Sequence, residues 1–369
     1  MNTNQEEIGT AIIGTGLVAH THAAALAANP HSRFEAVCSR DLEKASSFAG
    51  CYGVRAYVDA NELLRDPAVD AVCICTPHPS HAELAVMAAS QGVHALVEKP
   101  MAITTEDCDR MIEAADQAGI KLGVISQRRL YEPVQRLKRA IDEGRIGQPI
   151  LGTVSVLGWR GPEYYAMDAW RGTWAGEGGG ILVNQVVHQL DLFQWFMGPI
   201  VDLSAYWSNL NHPFIEVEDT AVASLRFASG ALGSIVVSNS QNPGLYAKIH
   251  VHGYSGATVG VQTDGGSTFV AGVTEEVDPP HNDVWNVAGE DARLAKWQAA
   301  DRALAKEVDI MSHYHALQIA DFLDAILQDR EPMVTGREGR KLVELVQAIY
   351  LSGSQGRPIP FPVEEGAPR

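Results

Sequence analysis

The sequence predicts an α/β protein in two parts, a doubly wound parallel sheet followed by an α+β segment with a mostly antiparallel sheet. Three observations carry this. Residues 8–125 alternate short β-like runs with Ala-rich helical stretches, the pattern of strand–helix–strand units in a parallel sheet. After about residue 128 the runs lengthen and alternate with turn residues, as in an antiparallel sheet. The length of 369 residues fits two or three domains at ~150 residues each.

In the first part the strand candidates are 8–14, 34–39, 71–76, 94–97 and 121–125, and 17–28, 42–49 and 84–91 have helical spacing between them. Ser80-His81-Ala82-Glu83 has the form of a capping box and sets a helix start before Leu84. In the second part a helix over 133–143 precedes a strand at 151–157. A Gly/Trp-rich stretch at 158–180 then leads into one helix over 181–197. Strands follow at 219–227, 231–238 and 247–252, whereas 270–310 shows no strand period. Helices at 315–327 and 338–351 close the chain. The last begins at the capping box Thr335-Gly336-Arg337-Glu338 and stops at Gly353. The expected domains are 1–128 and 129–369.

Apolar residues make up 46% and charged residues 20%, so either part can bury a core unaided. Lys and Arg number 28 against 45 Asp and Glu, a net charge of −17 that repels phosphate backbones and anionic lipid surfaces. Nucleic acid and membrane are therefore excluded as partners. Five cysteines, all within the first 108 residues, suit no disulfide framework; Cys73 and Cys75 lie in the apolar run 71–75. No stretch approaches 18 apolar residues, and the polar start is no signal peptide, so a soluble, reduced, cytoplasmic protein is expected.

Gly14-Thr15-Gly16-Leu17-Val18-Ala19 follows the first strand and opens the first helix. Glycines there permit a tight turn and close approach of a pyrophosphate, which the helix N-terminus holds electrostatically; this is the position of the Rossmann fingerprint. A tight turn without ligand is the plain alternative. The second strand ends in Cys38-Ser39-Arg40-Asp41. An acidic residue at this point takes ribose hydroxyls and Arg accommodates a 2′-phosphate, so Ser39-Arg40 leans to NADP, with Asp41 keeping NAD open. Val97-Glu98-Lys99-Pro100 puts a lysine at the carboxyl end of a buried strand, where parallel sheets hold their ligands. Such a lysine can exchange protons with an alcohol, although Glu-Lys-Pro alone is more often a surface turn.

Taken together, Gly14-x-Gly16-x-x-Ala19-x-x-His22, Thr76-Pro77-x-x-x-His81 and Glu98-Lys99-Pro100 resemble the glucose–fructose oxidoreductase / inositol dehydrogenase / rhizopine-catabolism (Gfo/Idh/MocA) family. Trp170-Arg171, Gly178-Gly179-Gly180 and Asn184-x-x-x-His188-x-x-Asp191 extend the resemblance over essentially the whole chain. The resemblance implies a Rossmann domain, then a domain whose large open sheet commonly mediates oligomers, here a homotetramer. It implies Lys99 and His188 as catalytic residues, with Asn184 where the family has an aspartate. Asn cannot be a base but can position a hydroxyl or Lys99, and Asn184-Gln185 resembles a branch acting on sugars and cyclic polyols. On one helix 184, 188 and 191 would share a face. By the same resemblance Thr76, Pro77, His81, Glu98 and Lys99 line the cofactor, and Gln127 and Arg171 touch cofactor or substrate.

Oxidising a secondary alcohol sends a hydride to the nicotinamide and a proton to a base. His188 is the preferred base and Lys99 the holder of the oxygen, though the two could exchange roles. Trp159, Tyr165 and Trp174, in a stretch rich in aromatics and charges, suit the apolar face and hydroxylated rim of a sugar ring. An ordinary interface cluster is the alternative for them, as for Arg128, Arg129 and Tyr131. The pairs His20/His22, His250/His252 and His313/His315 lack zinc-site spacing, and no metal is expected; His315 opens a helix that could reach a pocket. The expected function is hydride transfer between NAD(P) and a ring hydroxyl of a neutral cyclic polyol or sugar, such as inositol or a glucose-like pyranose. A glycoside 3-oxidoreductase or NAD-dependent glycosidase is the second reading, and a non-catalytic NAD(P)-binding regulator the third.

Overall fold

The computed structural model describes residues 7–265 and 278–364; the polar start and the first part of 270–310 lie outside them. The chain forms two compact units. One contains Met1–Gln127 and Met311–Arg340, the other Arg128–Ile310 and Lys341–Arg369.

The first unit is a six-stranded parallel sheet of β1 (Ile8–Ile13), β2 (Ser32–Cys38), β3 (Arg55–Tyr57), β4 (Ala71–Ile74), β5 (His94–Val97) and β6 (Leu122–Val124). Its order is β3-β2-β1-β4-β5-β6, so successive strands run outward in opposite directions from β1 and β4. Ligands of such sheets bind at the carboxyl ends beside that reversal. Every residue of β1 and β4 is buried, which is why both read as unbroken apolar runs. Five strands fall within two residues of expectation. The exception, β3, has three residues and no buried one, and so carries no apolar signal.

Two expectations are corrected here. The stretch Met311–Arg340 belongs to the first unit, not to an unbroken second domain. Ile319, Phe322 and Leu323 of the helix Ile310–Leu327 are buried with Ile12, Val37 and Leu96, each contributing about 2 kcal/mol. Gln318 seals the join, accepting from the Ser126 amide and donating to the Val124 carbonyl, both at 2.8 Å. Secondly, Ser80 makes no capping bond. Its hydroxyl donates to Thr76 Oγ1 and the Pro77 carbonyl, and the helix begins at His81, running to Ser90. A helix over Thr105–Ala118, capped by Thr104, was not foreseen.

The second unit holds β7 (Pro149–Leu157), β8 (Ile200–Ser208), β9 (Thr220–Phe227), β10 (Leu232–Ser238), β11 (Tyr246–Gly253), β12 (Thr258–Gly265) and β13 (Ile359–Pro360), in the order β12-β11-β7-β10-β9-β8-β13. All pairs are antiparallel except β7 with β10. The helix Val187–Met197 covers the inner face; a Cβ on Gly152 of β7 would come within 2.6 Å of the Phe193 ring. The outer face carries Tyr206, Val222 and Val236, exposed and in register across β8, β9 and β10.

The expected helix over 181–197 is two helices, Ile181–Asn184 and Val187–Met197. Between them the Val186 amide bonds the Ile181 carbonyl five residues back, a local widening, so 184 and 188 do not sit on one continuous helix. Nor does Gly353 stop the last helix, which runs Gly336–Gln355. The left-handed terminator is Gly356, while Gly353 makes room for Trp207. Among the described residues no helix is long and apolar enough to cross a membrane.

Candidate active site

The glycine loop leaves β1 in the first unit. Gly14 has φ of +111°, and a Cβ there would lie 2.4 Å from the Cys75 carbonyl oxygen, so the loop runs against the end of β4. Gly16 faces open space and the helix Leu17–Ala28 has no side-chain cap, which leaves its first amides available to an anion. Thr15 and Val18 are half-buried, and Leu17 is exposed. At the end of β2, Ser39 is half-buried and Arg40 exposed. Asp41 accepts from the amides of Glu43 and Lys44, capping the helix Leu42–Tyr52.

The lysine turn follows β5 and is locked from below. Glu98 is buried; its carboxylate accepts from His22 Nε2 at 2.8 Å and from the Lys99 amide at 3.1 Å. His315 lies beside it, with Nε2 at 3.6 Å and Nδ1 donating to the Met311 carbonyl. Burial alone would raise the Glu98 carboxyl, but the two imidazoles outweigh it and hold it well below the usual carboxylate range. Glu98, expected beside the cofactor, is thus an internal anchor for the turn. Two of the three His-x-His pairs meet here in a cluster of three potential metal-ligating atoms within 4.8 Å. The 2.8 Å between His22 and Glu98 is a hydrogen-bond distance, closer than the ~3.3 Å between two ligands on one tetrahedral ion.

His81, also expected at the cofactor, is fully buried and faces inward. Its ring nitrogens lie 2.8 Å from the Thr76 carbonyl and 3.0 Å from the Pro100 carbonyl. It therefore sews the loop after β4, with Thr76 half-buried and Pro77 exposed, to the lysine turn. The neutral ring gives its one N–H to one of these carbonyls, so His81→Ala leaves that buried carbonyl without its donor and the turn without its packing, and should cost about 2 kcal/mol, with a raised KM for the dinucleotide. Urea titration and cofactor kinetics check this, and a change below about 0.5 kcal/mol would remove the clamp from the account. Gln127 is 5% exposed, and its Oε1 has no hydrogen-bond partner among the described residues. A buried orphan acceptor, an uncapped helix start and a glycine cradle together fit a nicotinamide dinucleotide.

In the second unit the triple glycine is explained by one buried acid. Glu218 accepts from the amides of Gly180 and Leu182 at 2.9 and 3.0 Å and from the Tyr350 hydroxyl at 2.9 Å. A Cβ on Gly180 would meet the Glu218 carbonyl oxygen at 1.9 Å, and one on Gly179 the Tyr350 hydroxyl at 2.1 Å. This anchors the helix Ile181–Asn184. Asn184 is half-buried, with Nδ2 at 3.0 Å from the Tyr164 hydroxyl and 2.5 Å from Glu177. Gln185 Nε2 reaches the same hydroxyl. His188 is buried in the first turn of the next helix, and Asp191, one turn on, is tied bidentately to buried Arg129.

The aromatic candidates divide. Trp159 and Tyr165 pack their rings on His212, at 5.5 and 5.9 Å, and Arg171 stacks on Tyr164 and Trp170 at 4.4 and 4.6 Å. Trp174 instead meets Trp207 and Tyr350 edge-on, so the expected substrate contact is engaged in an internal aromatic cluster. Lys99 belongs to the first unit, and Asn184 and His188 to the second. Glu177, Glu218 and Gln318 escaped sequence reasoning. An acid directly before three glycines was the signal available for Glu177.

The strand order, glycine cradle and anchored lysine turn define a nicotinamide-dinucleotide oxidoreductase. Residues 8–126 match the model of an oxidoreductase family with an NAD-binding Rossmann fold, and residues 134–259 match the GFO/IDH/MocA C-terminal domain. The chain belongs to the Gfo/Idh/MocA oxidoreductase family. It is 32% identical to the myo-inositol 2-dehydrogenase of Thermotoga maritima over 66% of this chain and 72% of that one. A D-apiose dehydrogenase of Paraburkholderia graminis is 28% identical over 95% of this chain and 88% of its own length. The WlbA dehydrogenase of Bordetella pertussis, solved with NADH and UDP-GlcNAcA, superposes with a TM-score of 0.86 at 31% identity, covering 99% of this chain and all of that one.

Proposed function

We propose that this oxidoreductase transfers a hydride between a ring secondary alcohol of a neutral cyclic polyol or sugar and NAD(P). The observation that carries the reading is the convergence of three loops at the carboxyl end of the parallel sheet. Gly14 lies against Cys75, and His81 joins Thr76 to Pro100, so the cofactor loop and Lys99 are held together. When bound, the nicotinamide supplies the hydride acceptor. Lys99 holds the alcohol oxygen and favours the charge that develops on it, His188 takes the hydroxyl proton, and Asn184 orients the ring. Trp159 and Tyr165 offer apolar faces to the C–H side of the ring, and Gln127 and Arg171 offer an acceptor and donors to the cofactor. The net charge of −17 favours a neutral substrate.

Relatives named for inositol and apiose oxidation support the substrate class. The exposed apolar row Tyr206–Val222–Val236 supports a homo-oligomer, and five unpaired cysteines a reducing cytoplasm. The direct test is absorbance at 340 nm with inositol isomers, hexoses and a nucleotide-linked sugar, with NAD and NADP supplied separately. Polyol-dependent reduction is expected. Turnover of the nucleotide sugar alone, or aglycone release from glycosides without net NADH, would overturn the reading.

On cofactor choice, Asp41 caps a helix while Arg40 is exposed beside it, which supports acceptance of a 2′-phosphate. Arg40→Ser should lower kcat/KM for NADP about 10-fold and leave NAD within about 2-fold, the loss of one charge-assisted contact. Equal effects on both cofactors would remove Arg40 from the adenosine site.

A further inference from the structure

We propose that Glu177 is a positioning residue that sets the amide of Asn184 in a single orientation. We infer further that this buried carboxylate is the reason position 184 carries an amide where the family pattern has an aspartate. The functional part of this inference rests on the reading of Asn184 as a substrate contact.

Glu177 has no exposed surface. It ends the one-turn helix Trp174–Glu177, which Thr173 caps at one end and the left-handed Gly178 closes at the other. Its Oε2 accepts the Gly172 amide at 2.6 Å, and its Oε1 lies 2.5 Å from Asn184 Nδ2. An ionised carboxylate only accepts hydrogen bonds, so the group that Asn184 turns towards it must be the NH2. The Tyr164 hydroxyl oxygen, 3.0 Å from the same nitrogen and 3.1 Å from Gln185 Nε2, holds the amide from a second side. The Asn184 carbonyl oxygen is thereby set away from both, as an acceptor of fixed direction.

An aspartate at 184 would place a second carboxylate oxygen at this contact. Like charges so close cannot both be ionised, and one would have to keep a proton to preserve the geometry. The exchange Glu177→Gln fails differently. Gly172 N–H and Asn184 NH2 both donate, and an amide offers one acceptor and one donor to meet them. Making both changes restores a donor facing an acceptor at the Gly172 and 177–184 contacts. The amide oxygen at position 177 then accepts from Gly172, and the amide NH2 there donates to the carboxylate at position 184. The charge moves from 177 to 184 while the shape is kept, because each exchange is of O for NH2.

The experiment is a four-member cycle of wild type, N184D, E177Q and N184D/E177Q, read as kcat and KM with the best polyol and as urea midpoints. Each single variant is expected to lose about 10- to 100-fold in kcat, and the double variant to recover to within about 5-fold of wild type. A double variant no faster than the slower single, or N184D with wild-type kcat, overturns the positioning role. If the wild type oxidises no polyol, the proposed activity falls by itself. The pairing is then decided by the midpoints: a double variant more stable than both singles supports it, and simply additive losses overturn it.

Discussion

Lys99→Ala should lower kcat for polyol oxidation about 10³-fold, near 4 kcal/mol at the transition state, while NADH still binds. The size follows from removing a cation from the site where an alkoxide-like charge develops. The selectivity follows from how the turn is built. Its backbone is held by Glu98 on His22, by His81 on the Pro100 carbonyl and by the buried strand β5, none of which uses the Lys99 side chain. Deleting that side chain therefore leaves the cradle in place, and fluorescence of bound NADH should be unchanged. Lys99→Arg should not rescue, because a planar guanidinium cannot stand in for a compact ammonium at one oxygen. Wild-type turnover by Lys99→Ala would overturn both the assignment and the reaction class.

The second large effect is on stability. Burial pushes the Glu218 carboxyl from 4.5 up to about 7, against the hydrogen bonds it receives from the Leu182 and Gly180 amides. Between those two values the folded chain keeps a proton that the unfolded chain has released. Stability contributed by this group is therefore fully present below about pH 4.5 and declines as pH rises to about 7. The full loss is about 3 kcal/mol at ~1.4 kcal/mol per unit. Glu218→Gln cannot titrate. The difference in unfolding free energy between wild type and this variant should fall across pH 4.5–7 and be flat above it. Chemical denaturation at four or five pH values measures this, and parallel curves for the two proteins would contradict it.

Much of this architecture was legible because burial on both faces writes β1, β4 and β5 as apolar runs, and because cofactor turns demand glycine. Gly14 announced the loop for a steric reason, since a Cβ there would meet the Cys75 carbonyl, and Gly16 because a dinucleotide loop needs open space at that turn. The misses have physical causes too. Strand β8 carries the outward apolar residues Val201 and Tyr206, which blur its alternation. Ser80 had the right neighbours for a capping box, but Thr76 and the Pro77 carbonyl, earlier in the same loop, took its hydroxyl. A helical period locates the helix Ile310–Leu327 and says nothing about which sheet receives Phe322. At the site, Lys99, Asn184 and His188 came from motif position. Of the acids that hold their surroundings, Glu218 reaches its partners across some 38 residues of chain, whereas Glu177 bonds residues five and seven away and was marked only by its place before three glycines. Gly179 and Gly180 came as part of a motif, with no reason attached, and they are the spaces that Tyr350 and Glu218 fill.

The return of Met311–Arg340 to the first unit has a consequence for biosynthesis. The ribosome completes the six strands by residue 127, then makes ~180 residues of the second unit before Ile319, Phe322 and Leu323 emerge. At about 5–20 residues per second that interval is roughly 10–40 s. Throughout it the nascent nucleotide unit shows the bare apolar surface that those three side chains will cover. His22 and Glu98 likewise wait for His315. A fragment ending at 127 would keep that surface permanently, and should aggregate or require the segment 311–340 in trans. The nucleotide unit, first to be translated, is among the last parts of this protein to be finished.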